Sequence, residues 1–568
     1  MKKTLVFCFL ILVSCSRETP EKEETYCNPF NLNYRFQFSK YLSYRESADP
    51  AMISYKDKYI LFASHGGGYW ISDDMLTWEY LQISTLPIED YAPDAIVIND
   101  TVFYIASAGI RKPFHYSTDP FRDDWKAYPD TLPFAIWDPH FFRDDDGQRY
   151  LYWGCSDVQP IYGVRLNSRM QAVSEPEVLI RHNPEKYGWE VPGEQHELNR
   201  NGWNEGAWMT KHNNRYYLQY AAPGTEFKTY ADGVYTSGSP LGPYEYEKYS
   251  PFSYKPGGFA GGAGHSTTFQ DKYGNYWRVS TMSISKRHMF ERRLGLFPAA
   301  FDKDAVMRTF TAFGDYPTTM PNRRIDFEKE DLFRGWMILS YKKKAEASSA
   351  IEGYPVENAF DEDIRTWWSA STGDPGEWLS VELDDNVTIN AIQVNFADQE
   401  SNLKPDSKEI YYRYRILGSA DNKSWYVIAD KSSNTEDACH DYCELVKPVN
   451  AKYIKIENVK VPDGKFSISG LRIFGLRKGD LPAGIKYFTV TRDEIDARRA
   501  TVEWPKDNNA TGYVVNYGID KNKLYSSIMV YEDNYVLLPG LNKEVTYYFS
   551  VDSFNESGIT RGTHIIQR

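Results

Sequence analysis

Cysteine, basic charge and long apolar runs are all scarce in this chain. Six cysteines among 568 residues are too few to staple a chain of this length, so the fold must rest on buried cores. No CxxC pair occurs, which removes the usual framework of a structural zinc site. Lys and Arg total 65 against 78 Asp and Glu, a formal net charge of −13. A surface this acidic is unsuited to phosphate backbones and sets nucleic acid aside. No sustained helical period or coiled-coil heptad is present, and no run of 18 apolar residues is available to span a bilayer. Aromatics are abundant instead: 44 Tyr, 30 Phe and 15 Trp, 16% of the chain. Pleated strands favour these rings, and so do sites that stack on sugars. At about 150 residues per domain, an all-β, carbohydrate-facing protein of three or four domains is expected.

The N-terminus opens with Lys2 and Lys3 and a short apolar run, residues 4–13, the pattern of a secretory signal over residues 1–14. The run ends in Leu12-Val13-Ser14-Cys15, which resembles the lipobox of bacterial lipoproteins. That resemblance implies cleavage before Cys15 and lipidation of its thiol. The implied location is an outer-membrane lipoprotein at the cell surface or periplasmic face, held to the membrane by its lipid alone. Residues 15–28 then read as a tether, because 16–24 (SRETPEKEE) is polar, acidic and Pro-bearing. Cys439 and Cys443, four apart in a loop-like stretch, are able to pair in an oxidising compartment.

Five copies of one unit occupy the first 300 residues. Each begins with an acidic or polar residue, runs through an alternating strand, turns, and closes with an aromatic-rich strand. They are 49–64 (DPAMISYKDKYILFAS), 92–108, 138–154 (DPHFFRDDDGQRYLYWG), 205–221 (EGAWMTKHNNRYYLQYA) and 264–280. Counted from Asp49 through Asp94, Asp138 and Glu205 to His265, the steps are 45, 44, 67 and 60 residues. Hairpins repeating at about this length predict propeller blades, with insertions in the longer steps. Five copies predict a five-bladed β-propeller over residues 29–325, whose innermost strands converge on a channel. Residues 341–476 and 485–568 show short alternating strands between turn clusters, which predict two C-terminal β-sandwich domains.

Three carboxylates open three of the units: Asp49, Asp138 and Glu205. Cleaving a glycosidic bond needs one carboxylic acid to protonate the leaving oxygen and one carboxylate to activate water or attack. A third nearby holds the acid protonated, because like charges in a dry pocket disfavour ionisation. Asp94 either shapes the pocket or serves a turn. Trp70, beside Tyr69 after a Gly-rich stretch, is either a sugar platform or core packing. Residues 144–147 (DDDG) lack the ligand spacing of a calcium loop and read as a hairpin turn.

With these residues in place the N-terminal unit resembles glycoside hydrolase family 43. The carrying motifs are Ala48-Asp49-Pro50, Tyr91-Ala92-Pro93-Asp94, Trp137-Asp138-Pro139, Asn204-Glu205-Gly206 and Gly264-His265-Ser266. The resemblance implies that Asp49 is the general base, Glu205 the general acid and Asp138 the residue that raises and orients the acid. It makes His265 the channel histidine that lies beside a bound cation in several members. The retaining, fructan-hydrolysing propellers fit less well, since Gly206 follows Glu205 where they carry Cys, and Trp137 precedes Asp138 where they carry Arg.

Residues 341–476 resemble the discoidin or coagulation-factor C-type domain, through Asn358-Ala359-Phe360-Asp361, Thr366-Trp367, Trp378-Leu379 and 469–475. Residues 485–568 resemble a fibronectin type III domain serving as a spacer, with Trp504 and Tyr548 as core aromatics. No cofactor is expected to be required for the chemistry; a structural Ca2+ is expected either in the propeller channel or near Asp363 and Thr366. The resulting expectation is an exo-acting, inverting hydrolase that releases terminal α-L-arabinofuranose from plant-type glycans. A β-D-xylosidase, an exo-β-galactosidase and a non-catalytic glycan-binding lipoprotein are the alternatives. Inversion implies acid and base carboxyls about 6.5 to 9.5 Å apart, with room for water.

Overall fold

Two-residue turns close the first hairpin of three of the five repeats. Lys56-Asp57, Asn99-Asp100 and Asn213-Asn214 all lie at φ between 47° and 62°, the conformation whose twist matches that of paired strands. The computed structural model describes residues 23–37, 41–87, 91–107, 114–129 and 132–568. Cys15 and the signal segment 1–14 lie outside them. Among the described residues the helical content is two short 3-10 turns, Gly188–Glu190 and Val356–Ala359. Everything else regular is strand.

Five four-stranded antiparallel sheets follow one another in chain order. Blade I covers 51–82, blade II 94–127, blade III 140–180, blade IV 205–246 and blade V 261–309. Residues 144–147 do form a hairpin turn, Gly147 N–H donating to Asp144 C=O at 2.9 Å. Blade faces are covered by neighbouring blades, so residues on both sides of a strand are buried. Trp70 and Tyr69 are 0% exposed for this reason. Tyr69 Oη accepts from Trp125 Nε1 at 3.0 Å, joining blades I and II. Trp70 packs in the same core cluster as Leu61, Tyr59 and Trp277. The sugar-platform expectation for Trp70 is therefore corrected to core packing.

The N-terminal segment latches onto blade V. Thr25–Tyr26 pairs with Thr318–Thr319, and the Asn28 side chain bonds both the N–H and the C=O of Leu296. The tether expected over residues 15–28 thus gives way to built structure by Thr25.

In the second unit, two long strands, Trp378–Phe396 and His440–Lys460, pair along their length and bend at register shifts between Glu382 and Val387 and between Ile389 and Ala391. Such irregularities let one ladder curl into both layers of a sandwich. Cys443 lies on the second strand with Cys439 just before it, and both are free. Residues four apart on an extended strand are about 13 Å apart, beyond disulfide reach; the expected pairing is corrected.

The third unit packs a three-stranded sheet on a five-stranded one around Trp504, Tyr513, Tyr547 and Phe549. Tyr547 and Phe549 point inward, so the intervening Tyr548 is half-buried, and its expected core role passes to its neighbours. This unit is no spacer. It bonds the segment before blade IV through Gly188 N–H to Leu541 C=O at 3.0 Å and Lys543 N–H to Lys186 C=O at 2.8 Å. Arg498 Nη1 adds a bond to Pro184 C=O.

Candidate active site

Each blade presents one left-handed residue to the channel: Asp49 at φ 52°, Ala92 at 45°, Asp138 at 49°, Gly206 at 62° and His265 at 44°. That conformation is costly for residues with a Cβ and persists where surroundings impose it. Here the preceding blade does so at every joint. Asp49 N–H donates to Thr281 Oγ1 of blade V at 2.9 Å, and Ala92 N–H to Ser64 Oγ of blade I at 2.8 Å. Asp138 N–H donates to Ser107 Oγ of blade II at 2.7 Å. Gly206 N–H reaches Asp138 Oδ2 at 3.3 Å, and His265 N–H reaches Asp232 Oδ1 of blade IV at 2.7 Å. The contacts form a closed ring of five. Gly206 also has no room for a side chain, since a Cβ would stand 2.8 Å from His265 Cγ.

This ring gathers Asp49, Asp138, Glu205 and His265 around one pocket of about 340 Å³. Asp94 is not among its lining residues. It pairs with Ile105 as Ala51 pairs with Phe62, so Ala92 holds the position that Asp49 and Asp138 hold in their blades. The Asp94 carboxylate is buried between blades, its Oδ2 accepting from Phe141 N–H and lying 3.4 Å from His140 Nδ1. The substrate-binding expectation for Asp94 is corrected to a role in joining blades II and III.

Burial alone would raise the Asp49 carboxyl, but Arg292, His265 and Ser64 outweigh it and hold the group below its usual value. Arg292 Nη1 donates to Asp49 Oδ1 at 3.1 Å and Ser64 Oγ to Asp49 Oδ2 at 2.7 Å. Glu205 has the opposite surroundings. Burial pushes it up to about 7, against donation from neutral partners: Tyr230 Oη at 2.6 Å and the Cys155 thiol at 3.2 Å. Asp138 is raised by burial first, then by Glu205 and Asp49. One carboxyl oxygen of each lies within 4.8 Å of the other, so Asp138 and Glu205 titrate as a pair that retains a proton near neutrality. This arrangement can supply one ionised carboxylate and one protonated acid in a single pocket.

His265 Nδ1 stands 3.2 Å from Asp49 Oδ1 and 3.7 Å from Asp138 Oδ2, and burial lowers its pKa. Calcium takes six to eight oxygen ligands. Among the described residues the one cluster of three ligand-type side chains is Asp138, Cys155 and Glu205, without His265. At the other expected position, Thr366 Oγ1 donates to Asp361 Oδ2 at 2.6 Å and Asp363 Oδ1 accepts from Arg365 N–H, so that loop is ordered by its own side chains.

Sequence reasoning missed several members of the pocket. Arg292 sits in a charged pair, Arg292-Arg293, that opens an otherwise apolar strand, a signal of buried ion pairing. Trp137 and Trp203, 47% and 37% exposed, line the pocket with Met289 and Phe290, whereas Trp70 does not. Both lie within two residues of a pocket carboxylate.

Residues 43–307 match the model of glycosyl hydrolases family 43. The chain carries a family 43 glycoside hydrolase domain. Residues 344–469 match the F5/8 type C domain. No curated protein matches the chain. Among solved structures it is similar to one described as a glycoside hydrolase, 19% identical over 75% of this chain and 97% of that one, with a TM-score of 0.44. It is also similar to an endo-1,4-beta-xylanase from Bacteroides thetaiotaomicron, 22% identical over 54% of this chain and 100% of that one, TM-score 0.39. An alpha-L-arabinofuranosidase from Clostridium thermocellum is 18% identical over 46% of this chain and 93% of that one, TM-score 0.34.

Proposed function

We propose that the family 43 domain is an exo-acting, inverting hydrolase that removes terminal pentoses, α-L-arabinofuranose foremost, from plant-type glycans. The observation that carries this reading is the opposed pair of carboxyl environments, Asp49 held low beside Arg292 and Glu205 raised to about 7. In the proposed mechanism Asp49 takes a proton from water as the water attacks the anomeric carbon. Glu205 gives its proton to the departing oxygen, and the bond to the leaving group breaks in the same displacement. Asp138 shares the proton of the pair and keeps Glu205 protonated until it is needed. His265 lies between Asp49 and Asp138, its Nδ1 3.2 Å from Asp49 Oδ1 and 3.7 Å from Asp138 Oδ2. The exposed faces of Trp137 and Trp203 suit stacking on a sugar ring at the mouth. The chain is further proposed to be a lipoprotein anchored through Cys15, so that hydrolysis takes place where external glycans arrive. No cofactor takes part in this scheme.

The test is sugar release by soluble protein beginning at Ser16, offered aryl α-L-arabinofuranoside, β-D-xyloside and β-D-galactoside. Release of arabinose alone, abolished in Asp49→Asn, is the expected result. Release of xylose or galactose instead would replace the sugar while keeping the reaction. Glycan binding without turnover on any of the three would overturn the enzymatic reading.

A further inference from the structure

Alternation along two neighbouring segments divides their charged residues between two destinations. Arg292 lines the pocket, its Nη1 donating to Asp49 and its Nη2 to Glu46 Oε1 behind it at 2.6 Å. Their chain neighbours Arg45 and Arg293 face the discoidin-like unit. Arg45, fully buried, is held by Asp398 at 2.8 Å and Asp437 at 2.6 Å. Arg293 Nε donates to His440 Nε2 at 2.8 Å, and His440 Nδ1 lies 2.7 Å from Asn395 Oδ1. The two segments are tied together by Ser47 N–H to Arg292 C=O and Arg293 Nη1 to Arg45 C=O. Contacts from the second unit therefore lie one residue away from the groups that hold Asp49.

The same unit grips the pocket wall. The hairpin 284–291 carries Met289 and Phe290, both lining the pocket. Its Arg287 donates to the carbonyls of Ala397 at 3.0 Å and Asp398 at 3.2 Å while pairing with Glu291 at 2.8 Å. Asp398 is thus the meeting point: its side chain holds Arg45, its carbonyl holds Arg287, and Tyr412 donates to its other carboxyl oxygen.

We propose that Asp398 is a positioning residue for the active site, and that the discoidin-like unit is the fixed backing of the Asp49 side of the pocket. Misplacing reacting groups by about 1 Å costs on the order of a hundredfold in rate, so a backing that fixes Arg292 and the 284–291 hairpin has kinetic weight. The kinetic half of the inference rests on the hydrolase reading; the structural half does not.

The test uses the full chain and two variants. Asp398→Asn keeps the shape and removes the charge. Arg287→Met releases the hairpin from a side chain that is 33% exposed, and it is made together with Glu291→Gln because the Glu291 carboxylate that Arg287 pairs is 2% exposed. Hydrogen exchange in Asp398→Asn should rise by about tenfold or more at amides of 45–49 and 284–291, both in the other unit. Arg287→Met should raise it at 284–291 alone. On substrate, Asp398→Asn should lower kcat by about tenfold or more through Asp49, whereas Arg287→Met should raise KM with kcat nearly kept. Arg45→Lys should recover part of what Arg45→Met loses. Unchanged exchange at both segments in folded variants overturns the proposal, and if Asp398→Asn does not fold, Arg287→Met decides. A silent wild type would sink the hydrolase reading and leave the exchange test in force.

Discussion

Asp49 and Glu205 are buried to nearly the same extent, 6% and 8% exposed, yet their carboxyls shift in opposite directions. Depth does not separate them; the partners do. Asp49 receives a guanidinium that is itself fixed by Glu46. Glu205 receives a phenol and a thiol, donors without charge, and faces a second carboxyl in Asp138. Opposite charge nearby offsets desolvation, and neutral donors do so only in part. The two sides also differ in their backing: the discoidin-like unit supports the Asp49 side, and the C-terminal unit supports the segment leading to Trp203 and Glu205.

The sharpest way to break this comparison is to neutralise each carboxyl in turn. Asp49→Asn should lower kcat/KM by at least about a hundredfold on every leaving group. Glu205→Gln should lose a similar factor on glycan linkages but little on aryl glycosides whose leaving groups need no proton. A leaving-group series measures this, and equal losses throughout would erase the distinction.

Arg292→Met tests the charged partner. Asp49 must be ionised to accept a proton, and losing Arg292 removes a cause that lowers its pKa. The acidic limb of the kcat/KM profile should therefore move to higher pH, with activity at pH 5 falling more than at pH 7. Tyr230→Phe tests the neutral partner and moves the other limb. Glu205 must be protonated, its donor from Tyr230 lowers its pKa, and removing that donor should carry the alkaline limb upward from about 7, with kcat changed less than about tenfold. A pH–rate profile in which both variants moved the same limb would contradict the assignment. Last, Trp137→Ala should raise KM several-fold with stability kept, whereas Trp70→Ala should cost about 3–5 kcal/mol of stability and leave KM of the folded enzyme unchanged. Thermal unfolding beside kinetics separates the two.

The blades were legible because their hairpins repeat, and the repeat exposed Asp49, Asp138 and Glu205 by placing them at strand openings. It misled at Asp94, where a two-residue offset is invisible until strand pairing gives the register. Asp49 and Arg292 are 243 residues apart and meet only because blade V closes on blade I; no local pattern connects them. Cys155 read as one of a few thiols, since nothing in its neighbourhood announced a carboxyl acceptor 50 residues away. Trp70 failed for a different reason: a propeller strand is covered on both faces, so an aromatic beside a Gly-rich turn is no more exposed than its neighbours.

The closed ring of N–H contacts carries a consequence for inheritance. At three of the five joints the hydroxyl that fixes a channel residue stands on or just after the second strand of the blade before it: Thr281 for Asp49, Ser64 for Ala92 and Ser107 for Asp138. A blade transplanted from a relative along its own sheet boundaries would arrive without the group that shapes its opening residue. The segment that can be exchanged intact begins on the second strand of one blade and ends on the first strand of the next. Recombination that respects this offset keeps Asp49 and Asp138 in place, and recombination at the visible seams loses them.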